Sequence, residues 1–368
     1  MKPLRGTALY CGIGNTVEEM EAHIKAAASV GINAIFSSLQ LPEADKEILL
    51  RDFPKMAEIA HRYGMAIDAD ISERSADLFG LDLHDFAAFK KMGVDYARID
   101  GGYTDEEIVA ASHNTAGVII ELNAVLATDE WLERLIELGI NKEQIHFCHN
   151  YYPMRYSGMT EEDLRANNAV IHRHGFTVAG FIPSKTHPRI ACGIGLPTAE
   201  RWREMDTHTV IQEAFLFGLD DVYYGDDFAD ISELKLLCEA DPNVVTFRFH
   251  PFVEGEILAW LCGREMSQTY CGTPETVLRS GYVSHAYKGY VDDTFSCLRR
   301  RGDVTVCKST LWRYSGEIQL VRQDLPRDEN IGIIGRLVDE DLPLLDTLRG
   351  DVVLPGERKH FRLVRDDK

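Results

Sequence analysis

Apolar residues recur along the first two-thirds of the chain in two alternating rhythms. Short apolar runs at 5–10, 32–37, 65–70, 94–99, 117–122, 144–149, 176–181 and 221–225 read as strands buried on both faces. Between them the apolar positions repeat every three to four residues. Positions 17, 20, 24, 27 and 28 within Val17–Ser29, and Trp131, Leu132, Leu135, Ile136 and Leu138, form the stripe of an amphipathic helix. Glycine closes several of these stretches, in Val30-Gly31-Ile32, Tyr63-Gly64-Met65, Met92-Gly93-Val94, Leu138-Gly139-Ile140, His174-Gly175-Phe176 and Phe217-Gly218-Leu219. Asn15-Thr16, Thr104-Asp105, Thr128-Asp129 and Thr160-Glu161 stand at helix starts, where their side chains accept from free backbone amides.

Eight strand–helix units in succession predict an α/β protein with a (β/α)₈ barrel over residues 1–241. An open, doubly wound sheet is the competing architecture. It usually carries a Gly-rich phosphate turn after its first strand, and Cys11-Gly12-Ile13-Gly14-Asn15 is a weak echo of one. After Asp241-Pro242 the rhythm changes. Segments 303–308, 316–322, 331–338 and 359–364 read as strands with turn signals between them, and long helices are scarce, so residues 242–368 are expected to form a small, mainly β domain.

Composition narrows the class. Hydrophobic residues make up 45% of the 368, enough for a sizeable core. Lys+Arg total 39 against 59 Asp+Glu, a net charge of −20, with no basic run longer than Arg299-Arg300-Arg301. Nucleic acid and anionic membranes need positive surface, so neither is an expected partner. The start of the chain lacks the apolar core of a signal peptide, and no later run approaches the ~20 apolar residues of a membrane span. Eight Cys are too sparse for a disulfide framework, and Cys148, Cys192, Cys262 and Cys271 show no C-x-x-C pairing that would suggest structural zinc. The expected compartment is the cytoplasm.

The chemistry lies at the strand ends. Asp68 and Asp70 close the third strand, Asp100 the fourth, Glu121 the fifth, and Asp226 and Asp227 the eighth. Residues i and i+2 of a strand share a face, so Glu121 can point with Asn123, and Arg98 with Asp100. Ionisable groups at the carboxyl ends of successive strands are what an active site on a β/α barrel requires. Two carboxyls there can serve a glycosidase, one as acid and one as base or nucleophile. Ile145-His146-Phe147-Cys148-His149-Asn150-Tyr151-Tyr152-Pro153 runs from an apolar strand into His149, Asn150 and Tyr151, groups suited to a sugar. Ser184 and Lys185, ending the seventh strand, and Arg155 can hold a phosphate by charge-assisted hydrogen bonds. A metal reading would join Glu121, His149 and Asp226 as ligands, but no H-x-x-x-H or similar spacing supports it, and neither metal nor cofactor is expected. No G-x-S-x-G motif or Cys–His pair suggests acyl transfer.

Several segments together resemble a known family. Glu121-Leu122-Asn123, Cys148-His149-Asn150-Tyr151-Tyr152-Pro153, Tyr156-Ser157-Gly158-Met159, Phe181-Ile182-Pro183-Ser184, Gly195-Leu196-Pro197-Thr198 and Asp220-Asp221-Val222-Tyr223-Tyr224-Gly225-Asp226 look like the 6-phospho-N-acetylmuramidases, glycoside hydrolase family 170. Arg313-Tyr314-Ser315-Gly316-Glu317-Ile318-Gln319-Leu320, Asp324-Leu325-Pro326 and Ile334-Gly335-Arg336 resemble its second domain. The resemblance implies a barrel followed by a cyclophilin-like β domain. It also implies cytoplasmic hydrolysis of N-acetylmuramic acid 6-phosphate–N-acetylglucosamine, a product of peptidoglycan recycling. The chain departs from the family at two strand ends. It has Leu9-Tyr10-Cys11-Gly12 where the family's first strand usually ends Ile-Tyr-Pro-Glu, and Asp68-Ala69-Asp70-Ile71-Ser72 where the third commonly ends near Asp-Val-Asn.

The leading expectation is therefore a glycoside hydrolase acting on a small phosphorylated amino-sugar disaccharide. Asp226 and Glu121 form its carboxyl pair, with Asp70 and Asp100 as substitutes. Asn123, His149, Asn150 and Tyr151 orient the sugar, while Arg155, Ser184 and Lys185 meet the phosphate or lactyl carboxylate. Two other classes stay open, a metal-dependent sugar-phosphate isomerase or epimerase and a non-catalytic sugar-binding protein. The β domain is left with two roles, covering the barrel mouth or forming a homodimer contact.

Overall fold

Each apolar run finds a parallel neighbour. In the computed structural model, Arg5–Ala8 (β1), Ala34–Ser38 (β2), Ala66–Ile71 (β3), Tyr96–Ile99 (β4), Ile119–Asn123 (β5), Ile145–Cys148 (β6), Val178–Ile182 (β7) and Asp221–Asp227 (β8) pair in chain order, and β8 returns to β1. Closure through Arg5–Val222 and Gly6–Tyr223 excludes the open doubly wound sheet. The structure describes residues 2–99, 101–189, 193–267, 275–281, 286–348 and 360–366. Among them, no helix is long and apolar enough to cross a membrane.

Helices follow the strands and cover them. Side chains that point outward from the barrel, such as Ile35, Ile67, Ile120, Phe147 and Val222, meet the apolar stripes of the helices through Phe53, Met56, Leu132, Leu135, Leu164 and Ile171. Burying one such side chain contributes about 1.5–3 kcal/mol, so this shell carries most of the fold. Its helix ends are finished locally. Thr16 accepts from the Glu19 amide at 3.2 Å while the Glu19 carboxylate accepts from the Thr16 amide at 2.9 Å, and Gly31 closes the same helix at φ 106°.

The inward positions are unusual. A barrel of this kind normally fills its interior with branched apolar residues. Here Phe36, Phe181 and Tyr223 occupy part of it, their rings 4.9–6.2 Å apart by centroid. Buried Asp68, Arg98, Glu121, His146 and Asp221 share the interior with them and with smaller apolar residues such as Ala8, Ala34 and Cys148. Gly6 makes this possible, since a Cβ there would sit 2.0 Å from Cδ1 of Tyr223.

Residues Met1–Ala240 form one compact unit and Asp241–Lys368 a second. The second unit holds Val244–Pro251 (β9), Glu265–Ser267 (β10), Val277–Arg279 (β11), Asp303–Cys307 (β12), Ile318–Val321 (β13), Ile331–Leu337 (β14) and His360–Arg365 (β15), in the order β10-β15-β9-β14-β12-β13-β11. β15 and β9 pair in parallel and the other pairs are antiparallel. The fold is thus an α/β barrel with a mainly β unit beside it in sequence. β9, β10 and β11 were not among the expected strands.

Candidate active site

Three charged residues deep in the barrel form one hydrogen-bonded line. His146 of β6 lies with Nδ1 2.6 Å from Oε2 of Glu121 on β5, and with Nε2 2.9 Å from Oδ2 of Asp221 on β8. Asp221 is anchored in turn by the Leu4 amide at 2.5 Å. Burial opposes a charge on His146, but the two carboxylates accepting from it outweigh that and raise its pKa well above the usual value. Burial, and after it the Glu121 charge, raise the pKa of Asp68 on β3 well above the ordinary carboxyl value.

The mouth lies one layer above. Oε1 of Glu121 is 3.9 Å from Nε of Arg98, whose guanidinium reaches Asp70 at 3.1 Å and Asn150 at 2.5 Å. Gln40 donates to the second Asp70 oxygen at 2.8 Å, and Asn123 donates to Asn150 at 3.5 Å. Across the mouth the Tyr10 hydroxyl donates to the Gly225 carbonyl at 2.8 Å, and the guanidinium of Arg189 stacks 4.6 Å above the Tyr10 ring, close to Tyr151. Asp70, Asn123, Asn150 and Tyr151 thus gather at one opening with Arg98, Arg189 and Gln40.

The two carboxyls that end β8 part company. Asp221 and Tyr223 point into the barrel, whereas Val222 and Tyr224 pack against the helices. Asp226 follows the outward parity and Asp227 the inward one. Asp226 is fully buried, and its carboxyl accepts from the amides of Ser184 at 2.8 Å, Arg189 at 2.8 Å and Leu196 at 3.1 Å. It organises the loop after β7. Asp227 comes to the mouth opposite Ala8, after a bulge that follows the Thr7–Tyr224 pair. It accepts from Nδ2 of Asn15 at 2.6 Å and from the Tyr10 amide at 3.3 Å. Burial pushes its pKa up to about 7, against the pull of these two donors. A cleft of about 870 Å³ opens beside it, with Asn15, Glu19, Glu43, His187 and Phe228 in its walls.

Other sequence candidates are placed elsewhere. His149 has the outward parity of Phe147 and lies 2.7 Å from Asn168 on the helix Glu161–Arg173; burial lowers its pKa to about 4, so it is a neutral packing residue. Ser184 donates to Glu233 at 2.6 Å, and the Lys185 ammonium donates to the carbonyls of Trp202 and Arg203 at 2.9 and 2.7 Å. Arg155 pairs with Glu204 at the surface. Glu121, His149 and Asp226, the three considered as metal ligands, each bond a different set of neighbours and do not converge. Asp100 lies outside the described residues.

Residues 5–239 match the family model described as 6-phospho-N-acetylmuramidase, N-terminal, and residues 272–355 match its C-terminal counterpart. The chain belongs to the 6-phospho-N-acetylmuramidase family. These are glycoside hydrolases, and the chain is a glycosidase. No curated protein matches it. Among solved structures it is similar to an uncharacterized B. cereus protein, with a TM-score of 0.83 at 26% identity over 99% of this chain and 100% of that one. It also shares the fold of a conserved protein of unknown function from Enterococcus faecalis, with a TM-score of 0.70 at 24% identity over 99% and 97% of the two chains.

In this muramidase-family barrel the sequence reading named Asp227 only as a carboxyl ending the eighth strand and did not single out Arg189, Tyr10 or His146. Period-two alternation groups Asp227 with Tyr223 and Asp221 but does not say which parity faces inward. Arg189 sits on a long loop and had no such signal.

Proposed function

We propose that Asp227 and Asp70 are the working carboxyls of this glycosidase, and that the enzyme cleaves a disaccharide of phosphorylated amino sugar. The observation that carries this reading is the half-buried Asp227 carboxyl, which opens onto a cleft and whose pKa is raised by desolvation to about 7. Such a group is still substantially protonated near neutral pH and can hand its proton to a leaving glycosidic oxygen. Asp70, paired with Arg98 at 3.1 Å, supplies the negative charge that an oxocarbenium-like transition state needs. The two residues expected as the pair take supporting roles: Glu121 sits one layer down with His146, and Asp226 fastens a loop.

Asn123, Asn150, Tyr151 and Gln40 are placed to meet sugar hydroxyls, and Arg189 carries the positive charge that an anionic sugar requires. The family supports N-acetylmuramic acid 6-phosphate linked to N-acetylglucosamine as the substrate, with hydrolysis in the cytoplasm during peptidoglycan recycling. The test is direct. Purified enzyme is given this disaccharide and its unphosphorylated form, alongside the Asp227→Asn and Asp70→Asn variants. The expected result is release of the free amino sugar from the phosphorylated substrate and a loss of about 10²–10⁴-fold in kcat in both variants. Absence of hydrolysis in the wild type, or wild-type turnover in both variants, would overturn the assignment.

A further inference from the structure

We infer that one face of the β unit binds a second copy of this chain, with the Trp312-Arg313 pair of each copy seated in an acidic aromatic groove of the other. The groove has a volume of about 410 Å³ and lies wholly within this unit. Buried Ile257, Val291 and Ile333 line it, and the rings of Phe252, Tyr290 and Phe295 stand at its rim, 62%, 71% and 69% exposed. Backbone bonds hold two of these residues to β14. The Phe252 amide donates to the Ile334 carbonyl at 2.8 Å, and the Phe295 carbonyl accepts from the Ile333 amide at 2.7 Å. Large aromatic side chains left open on one patch mark an interaction site. The charged residues of the described lining, Glu254 and Asp293, are both negative.

The complement lies beside the groove on the same unit. The amide and hydroxyl of Ser309 both donate to the carboxylate of Asp292, the neighbour of Asp293, and so moor the segment Ser309–Tyr314 there. From this segment Trp312 projects, 86% exposed and with φ at 54°. A bulky residue rarely holds that left-handed conformation; such strain persists where the surroundings fix it, and it gathers at functional positions. Here the Ser315 amide donates to the Trp312 carbonyl at 3.0 Å. Arg313 donates to the Tyr314 hydroxyl at 2.7 Å with its guanidinium 4.8 Å from the centre of that ring, and the Arg279 guanidinium lies 5.4 Å from the same centre. The indole is thus presented from a fastened base.

Charge decides the occupant. The chain carries −20, so two copies repel each other except where a basic patch of one meets an acidic patch of the other. Residues 308–314 hold Lys308 and Arg313 and no carboxylate, while the described groove lining offers two carboxylates and no cation. A two-fold contact uses the same patch on both copies, so each inserts what the other receives. Trp and Arg are among the side chains that dominate such contacts. Seated among Phe252, Tyr290 and Phe295, the Arg313 guanidinium gains aromatic faces and charge-assisted bonds to Glu254 and Asp293.

The experiment is sedimentation velocity of the full chain over a concentration series from about 1 μM to about 100 μM. The wild type is expected to pass reversibly from monomer to dimer. Trp312→Ala and Phe252→Ala should each weaken the dimer about tenfold or more. Arg313→Glu should weaken it, and so should the joint change Glu254→Lys with Asp293→Lys, because each sets like charges against one another. Mixing these two charge variants should then restore a dimer, since in the mixed pair both contacts again join opposite charges. That restoration also shows that both variants fold. A wild type that stays monomeric throughout would give the groove to a different partner and overturn the inference. So would a dimer untouched by Trp312→Ala, or a mixture that associates no better than its components.

Discussion

Nδ1 of His146 stands 2.6 Å from Oε2 of Glu121, and the far side of the same ring stands 2.9 Å from Asp221, all three residues being buried within the barrel. Both ring nitrogens face carboxylates, so the ring is an imidazolium that donates twice. Replacing it by His146→Gln leaves two buried carboxylates short of a cation, and breaking a buried pair in this way costs about 3–5 kcal/mol. The pH dependence has a definite sign. The folded pKa is raised, so the stabilisation is complete below the unfolded value of about 6.5 and is lost as pH climbs from there through the raised folded value. Urea unfolding of the wild type should therefore show falling stability above pH ~6.5, and His146→Gln should lack that decline. A variant with the wild-type midpoint at every pH would show that the ring is not charged.

Asp227 predicts a second pH signature in a lower window. Its kcat/KM profile should fall on the alkaline side near pH 7, the value to which burial raises this carboxyl, and the limb should vanish in Asp227→Asn. The same shift acts on stability. An unfolded Asp ionises near ~3.9, so between about pH 4 and 7 the native state holds an extra proton and stability falls as pH rises. Asp227→Asn should flatten that slope and unfold later than wild type at pH 8, by about 1–2 kcal/mol after allowing for the solvent that reaches the cleft. An inactive variant that is also less stable at pH 8 would contradict the burial argument.

How much of this could be read from the chain depends on phase. The eight strands announced themselves, because barrel strands are buried on both faces and appear as continuous apolar runs. That same continuity conceals which residues face inward. In Val222-Tyr223-Tyr224-Gly225-Asp226-Asp227 both parities are apolar or aromatic, so nothing local says whether the Tyr223–Asp227 parity or the Tyr224–Asp226 parity faces the barrel axis. The stretch Ile145 to Asn150 contains two histidines of opposite parity; His146 turns inward to Glu121, and His149 turns outward to Asn168. The commitments of Lys185 to the carbonyls of residues 202 and 203, and of Ser184 to Glu233, join positions 17 to 49 apart and have no local pattern. β10 and β11, three residues each, are too short to show alternation.

The loop role of Asp226 separates it experimentally from its neighbour. Its carboxyl holds the amides of Ser184, Arg189 and Leu196, and so fixes the segment that presents Arg189 to Tyr10 and Tyr151. Asp226→Asn converts one acceptor oxygen to a donor facing an N–H, which should cost about 1–3 kcal/mol of stability. Activity should suffer mainly in KM, with the pH profile of kcat/KM keeping its limb near 7, because Asp227 is untouched. Loss of that limb in Asp226→Asn, with stability unchanged, would return the acid role to Asp226.

Gly6 and Tyr223 test whether the barrel interior is as closely fitted as the distances imply. A Cβ at position 6 would stand 2.0 Å from Cδ1 and 2.3 Å from Cε1 of Tyr223, a ring that is fully buried between Phe36 and Phe181. Gly6→Ala therefore forces the ring or the β1 backbone to move, and overpacking of this kind costs about 1–3 kcal/mol or more. Tyr223→Ala alone opens a cavity and costs about 3–5 kcal/mol. In the double variant the new methyl fills part of the space that the ring vacates. Its destabilisation in urea should thus fall short of the sum of the two single changes by about 1 kcal/mol or more, since residues in contact couple by that order. Strict additivity would mean that Tyr223 can leave its place over Gly6 without strain, and that the interior is looser than an 8-stranded barrel closed on this glycine requires.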